Sequence, residues 1–246
     1  MKKCLRFVLI AAAAVSMTGM AFAAAPNADA LAEAKGIDAD ETGAYMDFST
    51  ADIGPWKLDG GKKYVFQGDN WAKFQDQSGN ECTKVATLVD TGDGDKAVSI
   101  DLGIDKRSAD TTFLFNYSNQ GSAPKNLSAC VMKVRIYIPA GMVADGKKDY
   151  PKIKFIVRDG SWGIPPLGGD IDKYTVKDIG AGWHTLVIDF ANKTFDFGAV
   201  KGTIKPNASA LKRSFCFDME FSSKKLDADQ AAETILIDWI KFDGIQ

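Results

Sequence analysis

The feature that most constrains this fold is a two-residue alternation at 215–221, Phe-Cys-Phe-Asp-Met-Glu-Phe. Only an extended strand sends successive side chains to opposite faces. Phe215, Phe217, Met219 and Phe221 are therefore expected to meet a core, and Cys216, Asp218 and Glu220 to face away from it. The same texture recurs. At 129–138 it sets Cys130, Met132, Val134, Ile136 and Ile138 against Lys133, Arg135 and Tyr137. At 153–158 it sets Ile153, Phe155 and Val157 against Lys154, Ile156 and Arg158, and at 184–190 Leu186, Ile188 and Phe190 against Thr185, Val187 and Asp189. The stretch 234–242 is apolar on both faces, which predicts a central strand. Weaker strands are expected at 45–49, 63–67, 84–90, 97–102 and 113–117, separated by Gly, Pro, Asn and Asp clusters. About ten strands without a long amphipathic helix predict an all-β fold: a two-sheet antiparallel β-sandwich, with a jelly roll as the expected topology.

The N-terminus reads differently. Lys2, Lys3 and Arg6 precede an apolar run at 7–15, and small residues follow to Ala21-Phe22-Ala23. These are the three parts of a secretory signal, cut after Ala23. The apolar run is well short of the roughly 20 residues that a membrane-spanning helix needs. Cys4 precedes that run and leaves with it. The expected organisation is a signal peptide at 1–23, a flexible lead-in at 24–44 that is rich in Ala, Asp and Glu, and a sandwich at 45–246. The chain is expected to be exported, to the periplasm or beyond.

Charge and composition narrow the function. With 30 basic and 32 acidic residues interspersed, no basic stripe is available to neutralise phosphates, so nucleic acid is not an expected partner. Nor is a membrane span expected. Cys82, Cys130 and Cys216 permit one disulfide in an oxidising compartment, with all three pairings open. A single histidine, His184, argues against a zinc site. Catalytic signals are poor. No Gly-x-Ser-x-Gly elbow is present, Asp218 and Glu220 lack the longer carboxylate signature of laminarinase-like strands, and His184 has no evident nucleophile to serve.

Several pieces carry a resemblance: Met46-Asp47-Phe48 with Trp56, the turn-rich 92–103, then 133–139, 152–159, the Gly182-Trp183 that opens 182–190, and the terminal 235–244. From about Tyr45 onward the chain resembles the jelly-roll carbohydrate-binding modules that hold β-glucan chains in an open cleft. The resemblance implies a sugar contact for Lys154, in an Ile-Lys-Phe stretch that stands where the family has Ile-Arg-Phe, and a matching role for Tyr174. It also implies a structural calcium at Asp238 with Asp47, although Ser49 stands where that family often carries Glu.

The residues themselves support a related expectation. Alternation puts Asp238 on the face of Leu236, Ile240 and Phe242, where a carboxylate needs either a cation or several backbone N–H groups to compensate it. The Asp-rich stretch at 90–95 reads as a turn. If their strands share a sheet, Lys133, Arg135, Tyr137, Lys154, Arg158, Asp218 and Glu220 form one polar platform of donors, acceptors and an aromatic ring, suited to sugar hydroxyls and C–H faces. Otherwise they are a solvated outer face. Trp162, on a Gly/Pro loop, is placed to stack on a sugar or to cover the sheet edge, whereas Trp183 and Trp239 read as packing residues. The expectation is an exported, non-catalytic protein that binds a β-glucan-like polysaccharide. The alternative is an envelope scaffold that uses the same fold for protein contacts.

Overall fold

The alternating stretches form strands in a computed structural model, which describes Ala30, Leu31, Ala34 and residues 44–49, 63–67, 70–76, 87–91, 95–102, 109–116, 124–159, 166–223 and 226–246. The signal segment, Trp56, Cys82 and Trp162 lie outside the described residues.

One sheet has eight strands. In spatial order they are β11 (Lys201–Thr203), β10 (Thr194–Asp196), β9 (Gly182–Asp189), β7 (Val131–Ile138), β13 (Thr234–Asp243), β5 (Lys96–Asp101) and β4 (Thr87–Asp90), with β1 (Ala44–Met46) also on β13. The other sheet has five: β2 (Lys63–Gln67), β3 (Asn70–Asp76), β6 (Ala109–Asn116), β12 (Cys216–Ser223) and β8 (Lys152–Arg158). Every described pairing is antiparallel. From β5 to β9 the chain changes sheet with each strand, and the order β5-β13-β7-β9 faces β6-β12-β8. That interleaving is the jelly-roll order.

The core fills the space between the sheets. Met132, Val134, Ile136 and Ile138 from β7 meet Phe155, Phe217, Met219 and Phe221 from the facing sheet, all buried. Phe217 and Phe242 cross the gap edge to face at 5.7 Å, and Phe155 packs on Phe197 at 5.5 Å. Each such ring contributes about 1.5–3 kcal/mol on burial, so the inward alternation of β7, β8, β12 and β13 supplies much of the driving force. As expected, β13 is central, flanked by β7 on one side and by β5 and β1 on the other.

Sequence reasoning missed β3, β10 and β11. The two shortest, β10 and β11, are three residues each, below the length at which alternation is readable. Short helices at Ala140–Val143, Val176–Ile179 and Ala208–Lys212 sit in the connections. In the last, Asn207 Oδ1 accepts from the N–H groups of Ser209 and Ala210 at 2.9 and 3.1 Å, an ordinary N-cap. β4 and β5 pair antiparallel on either side of the Asp-rich stretch, with Thr91 N donating to Asp95 O at 3.1 Å. No described helix is long and apolar enough to cross a membrane.

Candidate functional site

The single platform expected from alternation is two platforms. Lys133, Arg135 and Tyr137 lie on β7 in the eight-stranded sheet, and Lys154, Arg158, Asp218 and Glu220 lie on β8 and β12 in the five-stranded one. Both sets face away from the core, and the core lies between them. Alternation determines which residues share a strand face, but the jelly-roll path then sends consecutive strands to opposite sheets. Polar faces that look alike along the chain thus end on opposite sides of the sandwich.

On the five-stranded sheet, the register sets Lys154 opposite Glu220, Ile156 opposite Asp218 and Arg158 opposite Cys216. Arg158 reaches diagonally along the sheet, as a long side chain can. Its Nε donates to Asp218 Oδ2, and Nη2 lies 3.7 Å from Glu220 Oε1. These groups were expected at a solvated surface, yet Asp218 is fully buried, Glu220 is 8% exposed and Arg158 is 9% exposed. Ile156, also directed away from the core, is buried as well. The result is a charge cluster of fixed geometry at low exposure, where removing one partner leaves an uncompensated charge. Lys154 is the half-buried member, and Asp172 lies within electrostatic reach of it and of Lys152. The backbone register continues the rows through Thr112, Leu114 and Asn116 of β6 to Gln75, Lys73 and Trp71 of β3. The β3 positions, Trp71 among them, were missed because that strand was not recognised.

The eight-stranded face is organised differently. Lys133 Nζ sits 3.0 Å from Asp243 Oδ2, and Lys241 Nζ sits 2.8 Å from Asp243 Oδ1. Arg135 Nε is 3.3 Å from Asp238 Oδ2, and its guanidinium lies 4.9 Å from the ring centroid of Trp183. Tyr137 packs on Trp183 at 5.5 Å, and the Trp183 indole N–H donates to the carbonyl of Ala30 at 2.9 Å. Ala30 and Ala34 are buried. Part of the N-terminal lead-in is therefore seated against this face, and Tyr137 and Arg135 are engaged by the chain itself.

Asp238 is not on the core face with Leu236, Ile240 and Phe242. The register against β7 shifts between Ile237 and Trp239, so that Ile237 pairs with Ile136 and Trp239 with Arg135. Asp238 is the extra residue of a β-bulge. Ile237, Ile240 and Phe242 join the core, while Leu236, opposite Tyr137, faces outward. Asp47 closes a tight turn, its Oδ1 accepting from Ser49 N at 3.1 Å and Ser49 Oγ at 2.8 Å. The residue between them, Phe48, is buried with a φ of 62°. Among the described residues no group of three His, Cys, Asp or Glu side chains is placed to hold a metal ion.

Tyr174 does not join the Lys154 face. It packs edge-on against Phe195 at 5.9 Å and borders the hydrophobic core. The segment before it is tied down at Gly169, where an added Cβ would meet Thr203 O at 2.6 Å and φ is +88°, so only glycine fits. His184 is opposite Ile136, with Nε2 3.1 Å from Gly180 O. Cys130 is a free thiol, and both it and Cys216 are buried. Burial, then the charges of Asp243 and Asp189, push the Cys130 thiol up to about 12, which makes it unreactive.

No protein-family model matches the chain, and no curated protein does. Among solved structures, the chain is similar to the GH16 of a Bacteroides ovatus mixed linkage glucan PUL in complex with a G4G4G3G product. Identity there is 11% and the TM-score 0.33, over 81% of this chain and 99% of that one. It is also similar to Caldicellulosiruptor saccharolyticus CBM27-1 in complex with mannohexaose, with 11% identity, a TM-score of 0.37 and coverage of 68% and 87%. A third is the laminarinase from Flavobacterium sp. UMI-01, with 12% identity, a TM-score of 0.30 and coverage of 73% and 80%. At these values they assign neither a family nor an activity to this chain.

Proposed function

We propose that this chain is an exported protein that binds a polysaccharide, β-glucan-like in chemistry, without transforming it, and that the binding face is the outward side of the five-stranded sheet. The observation that supports this reading is half-buried Lys154, set by register opposite Glu220 and beside the buried Arg158–Asp218–Glu220 cluster. That cluster ties β8 to β12, so the Lys154 donor is held by strand register rather than by a loop. Sugar hydroxyls need donors and acceptors fixed at defined spacing, because each new hydrogen bond only replaces one to water. Net affinity then comes from preorganisation and stacking. The opposite face fits this role less well, since its aromatic pair is already engaged by the Ala30 segment.

Affinity electrophoresis of the mature chain against a panel of soluble polysaccharides tests the proposal. Retardation by at least one β-glucan is expected, with a Kd between about millimolar and micromolar, or roughly −4 to −8 kcal/mol. New reducing ends after prolonged incubation would show an enzyme instead. Uniform lack of retardation by folded protein would favour the envelope scaffold. Export is tested separately by intact mass: the secreted chain should begin at Ala24, and an uncut N-terminus in an exported sample would refute the signal peptide.

A further inference from the structure

We infer that the Arg135 guanidinium is the resident counter-cation of the β13 bulge, so that this sandwich is held at Asp238 by a protein cation and not by a divalent ion. The bulge creates the need. An extra residue between Ile237 and Trp239 places a carboxylate with 1% side-chain exposure against β7, and a carboxylate so placed is costly without a compensating charge. The same register meets the need, because Trp239 pairs with Arg135 and brings its side chain beside the residue just before it. Nε lies 3.3 Å from Asp238 Oδ2.

Three further contacts show that the arginine is positioned rather than merely near. Its guanidinium lies over the Trp183 ring at 4.9 Å, a cation–π geometry. Trp183 is in turn braced by Tyr137 at 5.5 Å and by the Ala30 carbonyl at 2.9 Å. β7, β9, β13 and the N-terminal segment thus converge on one cation. A calcium ion takes six to eight oxygen donors, and among the described residues no group of three acidic, His or Cys side chains is gathered here to supply the charged ones. Asp47, the other acidic candidate, has Oδ1 committed to the turn at Ser49. The inference does not depend on the proposed ligand, and it reassigns Arg135 from ligand contact to structural positioning.

The test is a set of thermal melts of the full mature chain in chelator and in millimolar calcium, together with a double-mutant cycle of Arg135→Gln, Asp238→Asn and the pair. The wild-type midpoint should be the same in both solutions. Arg135→Gln should lower it by on the order of 5–10 °C, since it leaves the carboxylate alone. Adding Asp238→Asn to Arg135→Gln should restore part of that loss. A calcium-dependent rise in the wild-type midpoint that Asp238→Asn abolishes would overturn the inference. So would single effects that simply add in the double variant. If neither variant folds, a calcium-dependent rise in the wild-type midpoint by itself overturns the inference, and equal midpoints support it.

Discussion

The two outward faces of the sandwich start from the same sequence texture, alternating charged and apolar residues on long strands, and reach different states. On the five-stranded sheet, Asp218, Glu220 and Arg158 are drawn into one buried cluster that spans two strands. On the eight-stranded sheet the charges form separate groups of graded exposure, from Arg135 with buried Asp238 to Asp243 with Lys241 and Lys133, where the Lys133 and Asp243 side chains are 39% and 33% exposed. The difference teaches that burial, rather than pairing as such, sets what an ion pair is worth. A buried cluster cannot lose one member cheaply, whereas an exposed pair exchanges its partner for water.

The largest effect should therefore come from breaking the buried cluster. Arg158→Met should destabilise the fold by about 3–5 kcal/mol, because buried Asp218 loses its partner. The matched change on the other face, Lys133→Met, should cost no more than about 1 kcal/mol. Urea denaturation of both variants at neutral pH measures the ratio. Equal losses would mean that the two faces do not differ in the way their burial implies.

The second effect is smaller and concerns binding. Lys154→Ala should weaken polysaccharide retardation about fivefold, on the order of 1 kcal/mol, with the fold intact because Lys154 is outside the core. Tyr137→Ala should leave retardation unchanged, since Tyr137 lies on the opposite sheet, against Trp183. The reverse pattern, with Tyr137→Ala binding poorly and Lys154→Ala normally, would move the ligand face to the eight-stranded sheet and require the Ala30 segment to leave it.

What was legible in the sequence follows the reach of alternation. The long strands β7, β8, β9 and β12 declare both themselves and their inward faces, and β13 declares itself and its central place by being apolar on both sides. Sheet membership is not written in that pattern. Lys133 and Lys154 look equivalent along the chain, and only the crossing path of the jelly roll separates them. The bulge was equally hidden. Asp238 reads as a core residue until the register is known, because one inserted residue reverses the facing of everything before it. The burial of Asp218 was hidden for another reason: strand periodicity states which face a residue is on, and not what lies over that face. The ring contact of Tyr174 with Phe195 comes from residues more than a dozen positions apart, beyond any local pattern.

The smallest expected effect is a titration, and it sharpens the comparison from the exposed side. Partial burial pushes the Asp243 carboxyl upward, but hydrogen bonds from Lys241 and Lys133, and then the charges of those two lysines, outweigh it and hold the carboxyl below its usual value. A carboxylate depressed in this way contributes stability that is fully present above its unfolded value, near about 3.9, and that is lost as pH falls through the lower folded value. The contribution should be a fraction of a kcal/mol, as for other partly exposed pairs. Lys133→Ala removes one of the two donors but leaves Lys241, whose side chain is only 7% exposed. The Asp243 carboxyl should therefore titrate at higher pH in the variant than in the wild type, though still below an unpaired aspartate. Carboxyl carbon shifts followed by NMR from pH 6 to 2 would report this directly. The stability difference between the two proteins, present at neutral pH, should vanish once Asp243 is protonated in both. A difference that persists undiminished at the acid end would mean that the aliphatic stem of Lys133, packed along β7, carries the effect instead of its charge.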